Sequence, residues 1–476
     1  MEDRGIVAAR MAIEALRSGI PNRPAIGALS LGVADIPRLK RIVSTFRSRL
    51  EESGKGLEEG RAVEGLIVAG GFGSGKSHLL GIFREMALRS RFVVSIVPIG
   101  EETQLFHPGR LFAAAVHAAE VPDLSDETNQ AEPVNDEAVI ALIRGLEGEQ
   151  EGYDNLFAWL QEPSSQMAPV FSALLYLLSN PHFGWERISE IASFFGGGRL
   201  TSRMVRDWLR DVGQASRFDT RLPRVAELDR QRARFFPRLC KAAGYRGWCL
   251  FLDELELPGR YSIKQRARSY CELARWLALE GDGVPGCLTV GAITDDFADA
   301  ILIGRNDREE APRTSGPETE DGKRARAAIE FITRETSRNR LAPPPEEELH
   351  HCLAKVVELY EKAYGWRSTV TIGDRRVGKT LREYIKGWIA QLDVARLYGG
   401  RTDLIYEPPI LPATEDEVFS SAPDPSDGEP ASRRSAESVF ARWSLPGHGT
   451  SSHPQLDRPG ASDKISERDR GRLAQR

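Results

Sequence analysis

Gly70-Gly71-Phe72-Gly73-Ser74-Gly75-Lys76-Ser77 is the stretch that decides the fold of this chain. It fits the pattern G-x-x-x-x-G-K-[ST], in which the backbone amides of a glycine-rich loop surround the phosphates of a nucleotide. A short β-type apolar run, residues 65–69, precedes it, and residues 79–87 carry apolar side chains at helical spacing. Strand, loop and helix in this order are the context that the pattern requires. The alternative is a glycine-rich turn that holds a lysine and a serine by chance.

Each residue type in this loop has a physical task. Glycines lack a Cβ, so the turn can reach positive φ and bring its N–H groups close to an anion. Lys76 would place its ammonium on the β- and γ-phosphates, and the Ser77 hydroxyl would bind Mg²⁺. We therefore expect ATP and Mg²⁺ as cofactors. The predicted cofactor contacts in this stretch are Gly70, Gly71, Phe72, Gly73, Ser74, Gly75, Lys76, Ser77 and His78.

A second formal match to the same pattern occupies residues 373–380, Gly-Asp-Arg-Arg-Val-Gly-Lys-Thr. Its interior is bulky and charged where phosphates need close approach of the backbone, and its apolar lead-in is short. We interpret it as a β-turn before a helix rather than a nucleotide site.

Phosphoryl transfer also needs carboxylates, one near the metal and one to activate water. The apolar run 248–252 ends in Asp253 and Glu254, which predicts Asp253 in the magnesium shell and Glu254 as the base. Thr294 ends the next apolar strand, residues 287–294, and would meet the γ-phosphate or the attacking water as a third catalytic residue beside Glu254 and Lys76. The alternatives are an Asp–Glu pair that starts a surface turn and a threonine that caps the turn after its strand.

Composition restricts the class of protein. The chain has 476 residues, 41% apolar, with a net charge of −5, so any contact with nucleic acid requires a local basic patch. Its five cysteines show no ligand spacing, which favours reduced buried thiols in a cytoplasmic protein. No signal peptide is expected, and no apolar run reaches the about 18 residues of a membrane span.

The pattern along the chain predicts five regions. They are N-terminal helices that contribute to the nucleotide pocket (1–60), an ATPase core (61–135 and 231–303), an inserted helical region (136–230), a C-terminal helical or lid domain (304–410) and a disordered tail (411–476). Pro98 predicts that the strand 92–99 ends there or lies at a sheet edge. The insertion is inferred because the loop and Asp253 are farther apart than a minimal βαβαβ core requires.

These motifs resemble those of the additional-strand P-loop ATPases, near the AAA+ and origin-recognition branch. More narrowly, the chain is similar to the ATP-binding proteins of bacteriophage-exclusion (BREX) defence systems, through residues 15–22, 72–80 and 381–385. The resemblance implies an α/β fold: a parallel sheet flanked by helices, with a central phosphate-loop strand and another strand between it and the strand that ends at Asp253. It also implies that Ile20 and Pro21 pack near the adenine. Other defence proteins are expected as partners, and the chain is expected to be able to form an oligomer.

Two features of the sequence remain open. Residues 188–195, a glycine break and residues 201–210 have the length of a helix-turn-helix, whose second helix would offer Arg203, Arg206 and Arg210 to DNA. The alternative is a helical hairpin that packs Trp208 and Leu209 into the core. An arginine normally completes such an ATPase site, and the candidates are Arg334, Arg338 and Arg340.

The function predicted from the sequence is an ATPase that powers or gates an anti-phage complex acting on DNA. The alternatives are a nucleotide-gated switch or scaffold with little turnover, and a DNA-binding protein with a vestigial nucleotide site.

Overall fold

The computed structural model describes residues 4–19, 37–123, 137–180, 183–256, 261–366 and 380–398. All of them belong to one unit, Met1–Ser421. Ile20, Pro21, most of the second loop-like motif (373–379) and the tail predicted to be disordered lie outside the described residues.

The described strands form one five-stranded sheet in the order β1-β5-β4-β2-β3. They are β1 (Leu66–Ala69), β2 (Val93–Pro98), β3 (Ala119–Glu120), β4 (Trp248–Asp253) and β5 (Cys287–Ile293). The first four strands in this order pair in parallel, whereas β3 is antiparallel to β2. The fold is therefore α/β with a mixed sheet. The prediction of a parallel sheet is wrong for β3, the short strand at the edge. As predicted, β2 ends at Pro98.

Helices surround this sheet. They are α1 (Arg4–Ser18), α2 (Pro37–Gly56), α3 (Lys76–Arg89), α4 (Pro108–His117), α5 (Ala138–Gly148), α6 (Gln150–Gln161), α7 (Pro169–Leu178), α8 (Trp185–Phe195), α9 (Ser202–Asp211), α10 (Val225–Ala242), α11 (Ile263–Trp276), α12 (Asp307–Thr314), α13 (Glu320–Arg338), α14 (Glu346–Tyr364) and α15 (Leu381–Tyr398). The helical pattern predicted for residues 136–230 corresponds to α5–α9 and the start of α10. None of these described helices combines the length and the apolar content needed to cross a bilayer.

Strand β4 shows how both faces of the sheet are covered. Successive side chains of a strand point to opposite faces. Phe251 packs on one face toward Phe46 of α2, whose ring stacks on Phe83 of α3 at 4.2 Å between centroids. Trp248 points to the other face, where its Nε1 donates to Ser95 Oγ at 2.9 Å. Burial of each such ring contributes about 2 kcal/mol, which explains why the run reads as continuously apolar.

The resemblance implied a central phosphate-loop strand, and this is wrong for the described sheet. Strand β1 stands at the end of the strand order, with β5 between it and β4 as implied. On the open side of β1, Arg340 forms only an isolated bridge with Ala69. In this parallel register residues 337–339 would lie opposite Leu66–Val68, and helix α13 continues to Arg338, so no sixth strand forms among these residues.

The N-terminal and C-terminal helices share a separate apolar cluster. Helix α1 packs against α14 and α15 through side chains that include Ile13, Tyr360 and Trp388. Arg17 reinforces this packing, since its Nη2 donates to Asp393 Oδ1 at 3.0 Å. Helix α2 instead packs on the sheet, so the two described helices of the predicted N-terminal region contact different parts of the chain.

Candidate functional site

The loop between β1 and α3 has the backbone shape expected of an anion cradle. Gly73 and Gly75 adopt φ angles of 74° and 102°, which side chains with a Cβ rarely accept. Gly75 is the N-cap of α3 and forms no side-chain cap, so the N–H groups of the first helical turn face the loop without a capping side chain. The N–H of Gly70 donates to Ile293 O at 3.2 Å, which ties the loop to the end of β5.

Lys76 and Ser74 are the polar side chains inside this loop. The ammonium of Lys76 donates to Gly70 O at 2.7 Å and to Gly71 O at 3.3 Å, so it lies across the loop. The hydroxyl of Ser74 is buried and has no hydrogen-bond partner among the described residues. A buried hydroxyl without a partner costs free energy, and an anion in the loop would supply one.

Ser77 and Asp253 are brought together from distant parts of the chain. Ser77 Oγ donates to Asp253 Oδ2 at 2.8 Å across a sequence separation of 176 residues. The parallel pairing of β1, β5 and β4 explains this proximity, because it places the ends of these strands at one edge of the sheet. A hydroxyl and a carboxylate oxygen fit Mg²⁺, which prefers oxygen ligands and takes few of them from protein. Within the described ranges no group of three or more acidic, histidine or cysteine side chains could hold a metal alone.

Glu254 follows the last residue of β4, and the chain turns away from the strand direction there. Its φ of 60° is uncommon for a residue with a Cβ, its side chain is exposed, and its N–H donates to Asp253 Oδ1 at 3.0 Å. Such backbone strain is concentrated at functional sites. The turn points the Glu254 carboxylate to solvent at the mouth of the predicted site.

Glu256 is a carboxylate that the sequence reasoning missed. Its Oε2 accepts the N–H of Thr294 at 3.3 Å, which joins the ends of β4 and β5. Burial raises the pKa of Glu256, and the nearby charge of Lys76 opposes that shift. The alternation Asp-Glu-Leu-Glu was the available signal, because buried Leu255 turns inward and leaves both glutamates at the edge of the sheet.

Comparison with known protein families supplies an independent finding. Residues 8–128 match the sequence model of the family described as BREX system ATP-binding protein BrxC/D. The match covers about a quarter of the chain and includes the loop 70–77, while Asp253 lies beyond it. No curated protein and no solved structure matches the chain.

The predicted BREX ATP-binding family is thus confirmed over a region that includes His78. This residue follows Ser77 in the first turn of α3 and was predicted as a cofactor contact. Burial lowers the pKa of His78 to about 4, so its imidazole is neutral at pH 7. It can therefore offer the loop a hydrogen bond but no positive charge.

Helix α15 contacts the loop through residues near its start. Thr380 and Glu383 cap its first turn: Glu383 N donates to Thr380 Oγ1 at 3.3 Å, and Thr380 N donates to Glu383 Oε2 at 2.6 Å. A Cβ on Gly73 would lie 2.9 Å from Thr380 Oγ1. The guanidinium of Arg382 lies 5.0 Å from the ring centre of Phe72, the most exposed residue of the loop.

Lys386, one turn after Arg382, faces the end of α1. A Cβ on Gly19 would lie 2.6 Å from Lys386 Cε and 3.2 Å from Arg382 Cδ. Arg382 and Lys386 therefore lie between the loop and Gly19, and Gly19 directly precedes Ile20, the first predicted adenine contact. Sequence reasoning missed them, although a threonine followed three residues later by a glutamate signals the start of a helix.

The three candidate arginines separate in space. Arg340 forms an ion pair with Asp295, which follows the end of β5, at 2.7 Å between Nη2 and Oδ2. Arg334 instead pairs with Glu64 at 3.0 Å, before the start of β1. Arg338 is exposed. Only Arg340 of these three lies at the edge of the sheet that carries the loop.

The predicted second helix of the helix-turn-helix is α9. Thr201 is its N-cap, since its side chain accepts the Met204 N–H. Its apolar side, which includes Trp208, packs into the core, as the helical-hairpin alternative requires. The three arginines proposed for DNA are exposed on the remaining surface, and Arg203 is 90% exposed in its side chain. Asp207 lies among them, 2.7 Å from Arg210 Nη1 and 3.7 Å from Arg203 Nε.

Proposed function

We propose that this chain is an ATPase that binds Mg-ATP at the loop 70–77 and hydrolyses it with the aid of the end of β4. The observation that carries the proposal is the 2.8 Å contact between Ser77 and Asp253, which joins the two predicted halves of the site. The family description, BREX system ATP-binding protein, independently supports ATP as the nucleotide.

The chain's residues have distinct tasks in this mechanism. The loop amides and the start of α3 bind the phosphates, and Lys76 moves from the carbonyls of Gly70 and Gly71 to neutralise the β- and γ-oxygens. Ser77 and Asp253 would hold Mg²⁺, which when bound stabilises the charge on the transferred phosphoryl group. Glu254 orients the attacking water and accepts its proton, and Thr294, the residue after β5, faces the same water.

Turnover of ATP by the purified full-length chain tests this proposal directly. Phosphate release is measured with and without Mg²⁺, and with and without duplex DNA. We expect Mg²⁺-dependent release that the Lys76→Ala variant lacks. If the parent protein bound ATP but released no more phosphate than Lys76→Ala, the ATPase function would be excluded and the switch function would be retained.

Replacement of Asp253 by asparagine tests the metal site. The variant keeps the size of the side chain but removes the charge, so we expect it to need about 10–100-fold more Mg²⁺ for half-maximal turnover. Asp282→Asn is a matched control, because Asp282 precedes β5 and pairs with Arg324 at 2.7 Å. A magnesium titration of both variants gives the comparison. An unchanged requirement in Asp253→Asn would contradict the assignment.

The second candidate function is a nucleotide-gated switch, and the contact between α15 and the loop favours it. Thr380 and Arg382 touch the loop, while Trp388 of the same helix lies in the cluster shared with α1 and α14. A nucleotide that moved the loop would therefore move helices at both ends of the described chain. The two functions are separated by turnover, because a switch requires binding alone.

We also propose that the arginines of α9 contact the phosphates of DNA, on which the predicted defence complex would act. Their exposure supports this contact, although Asp207 reduces the local positive charge. Reversal of Arg203 and Arg206 to glutamate is expected to weaken duplex binding at least tenfold at low salt and to reduce the dependence of affinity on salt. Reversal of Arg313 and Arg326, exposed arginines elsewhere, is the control. Equal affinities of both double variants would contradict a role for α9.

A further inference from the structure

The segment 339–341 runs along the open side of β1 and ends beside the loop. The N–H of Ala69 donates to Asn339 O at 3.2 Å, and the N–H of Leu341 donates to Ala69 O at 2.7 Å. Ala69 is followed directly by Gly70, the first residue of the loop. The residues on either side of Arg340 are therefore held by two backbone hydrogen bonds to Ala69, next to the predicted phosphate loop.

Buried polar contacts fix this segment. The side-chain amide of Asn339 donates to Ile67 O at 3.0 Å and to Glu335 Oε2 at 2.7 Å. Glu335 is 1% exposed and Asn339 is 3% exposed. Loss of either partner would leave a buried polar group without its hydrogen bond, which is costly. The position of Arg340 is thus determined by the interior of the protein rather than by a surface loop.

The side chain of Arg340, in contrast, is held only at the surface. It is 63% exposed and pairs with Asp295 through two contacts, Nη2 at 2.7 Å and Nε at 2.9 Å from Oδ2. Asp295 itself adjoins the loop, because a Cβ on Gly71 would lie 3.8 Å from its Oδ1. An exposed pair of this kind contributes little to stability, so a phosphate with more negative charge would compete for the guanidinium.

The other two candidate arginines lie toward the start of β1. Arg334 contacts Glu64 and lies over the ring of Phe331 at 4.9 Å from its centre. Burial lowers the pKa of Arg49, and the charges of Arg338 and Arg334 lower it further. Since Arg49 also pairs with Glu64 at 3.1 Å, these arginines share one charged cluster before β1. Arg334 and Arg338, which both lie on α13, therefore provide matched controls for Arg340.

We propose that Arg340 is a catalytic arginine that acts in cis: it leaves Asp295 when ATP binds and contacts the γ-phosphate of the same chain. The ion pair with Asp295 holds the guanidinium near the loop. The inference rests on the proposed ATPase function and deepens it, because a site completed in cis needs no neighbouring subunit for hydrolysis.

Replacement of Arg340 by alanine in the full-length chain tests the assignment. We expect turnover to fall about 100-fold while the Kd for ATP changes less than about threefold, since the arginine acts mainly on charge that develops in the transition state. Arg334→Ala and Arg338→Ala should remain within about twofold of the parent protein. Arg340→Lys should restore part of the loss, because it keeps the charge but not the two-pronged contact.

Mixing of variants separates cis from trans action. A mixture of Arg340→Ala with Lys76→Ala should show no more turnover than the sum of its parts. Recovery in the mixture would overturn cis action, since an intact arginine would then reach a neighbour's site. Full turnover in Arg340→Ala would overturn the assignment but leave the ATPase in place. Absence of turnover in the parent protein would overturn both the proposed function and this inference.

Discussion

Glu254→Gln is expected to retain ATP and to lower phosphate release about 1,000-fold, within the range that general-base catalysis contributes. The amide has the size of the carboxylate but cannot accept a proton from water. Because Glu254 is exposed and its N–H already donates to Asp253, the substitution should leave the end of β4 in place. Single-turnover phosphate release and ATP affinity, measured on the same preparation, check the result.

Glu256→Gln provides the contrast to that variant. A glutamine oxygen can still accept the Thr294 N–H that Glu256 Oε2 accepts, so the join between β4 and β5 should persist. We expect a loss of turnover of less than about tenfold, as for a group that positions its neighbours. If Glu256→Gln gave the large loss and Glu254→Gln did not, the base would have to be reassigned to Glu256.

The parts of the site that the sequence predicts are those encoded in short segments. Glycine spacing and the apolar residues on either side locate the loop between β1 and α3. A strand that ends in two acids locates Asp253, and parallel strands bring it to the loop at 2.8 Å from Ser77. The loop and the acidic strand end are each recognised from a short segment of sequence. Parallel pairing of the strands is enough to place the two at the same edge of the sheet.

The parts that could not be predicted depend on contacts between distant segments. The sequence predicts a turn before a helix at residues 373–380. Thr380 caps α15, but its contact with Gly73 depends on how α15 packs. Arg340 was one of three equivalent candidates, because spacing alone does not show which arginine lies beside β1. The end position of β1 in the sheet was likewise not encoded in any single segment.

The position of α1 also depends on contacts between distant segments. That N-terminal helices contribute to the nucleotide pocket stays a prediction; the structure places Gly19, at the end of α1, against Lys386 and Arg382 of α15. Helix α1 reaches that position through its apolar contacts with α14 and α15, more than 300 residues away in sequence. An amphipathic pattern predicts that a helix buries one face, but not which partner covers it.

Lys76→Ala is expected to weaken ATP binding at least tenfold and to lower turnover about 1,000-fold. A charge-assisted hydrogen bond contributes about 1.5–3 kcal/mol to binding, and loss of an electrostatic contact to the transferred group reduces the rate further. Lys76 also donates to Gly70 O and Gly71 O, so its removal leaves these carbonyls without that donor. Isothermal titration calorimetry with ATP and with ADP measures how much of the lost affinity comes from the γ-phosphate. We expect Lys76→Ala to lose more affinity for ATP than for ADP.

Lys323→Ala is the control for that experiment, because Lys323 is an exposed lysine of α13 that pairs with Glu320 at 3.0 Å. It should bind ATP as the parent protein does. Lys76→Ala with unchanged ATP affinity would contradict the nucleotide site itself, and with it the tasks assigned to Ser77 and Asp253. Lost affinity in both variants would instead indicate a general effect of charge, which raised ionic strength should reduce equally in the two proteins.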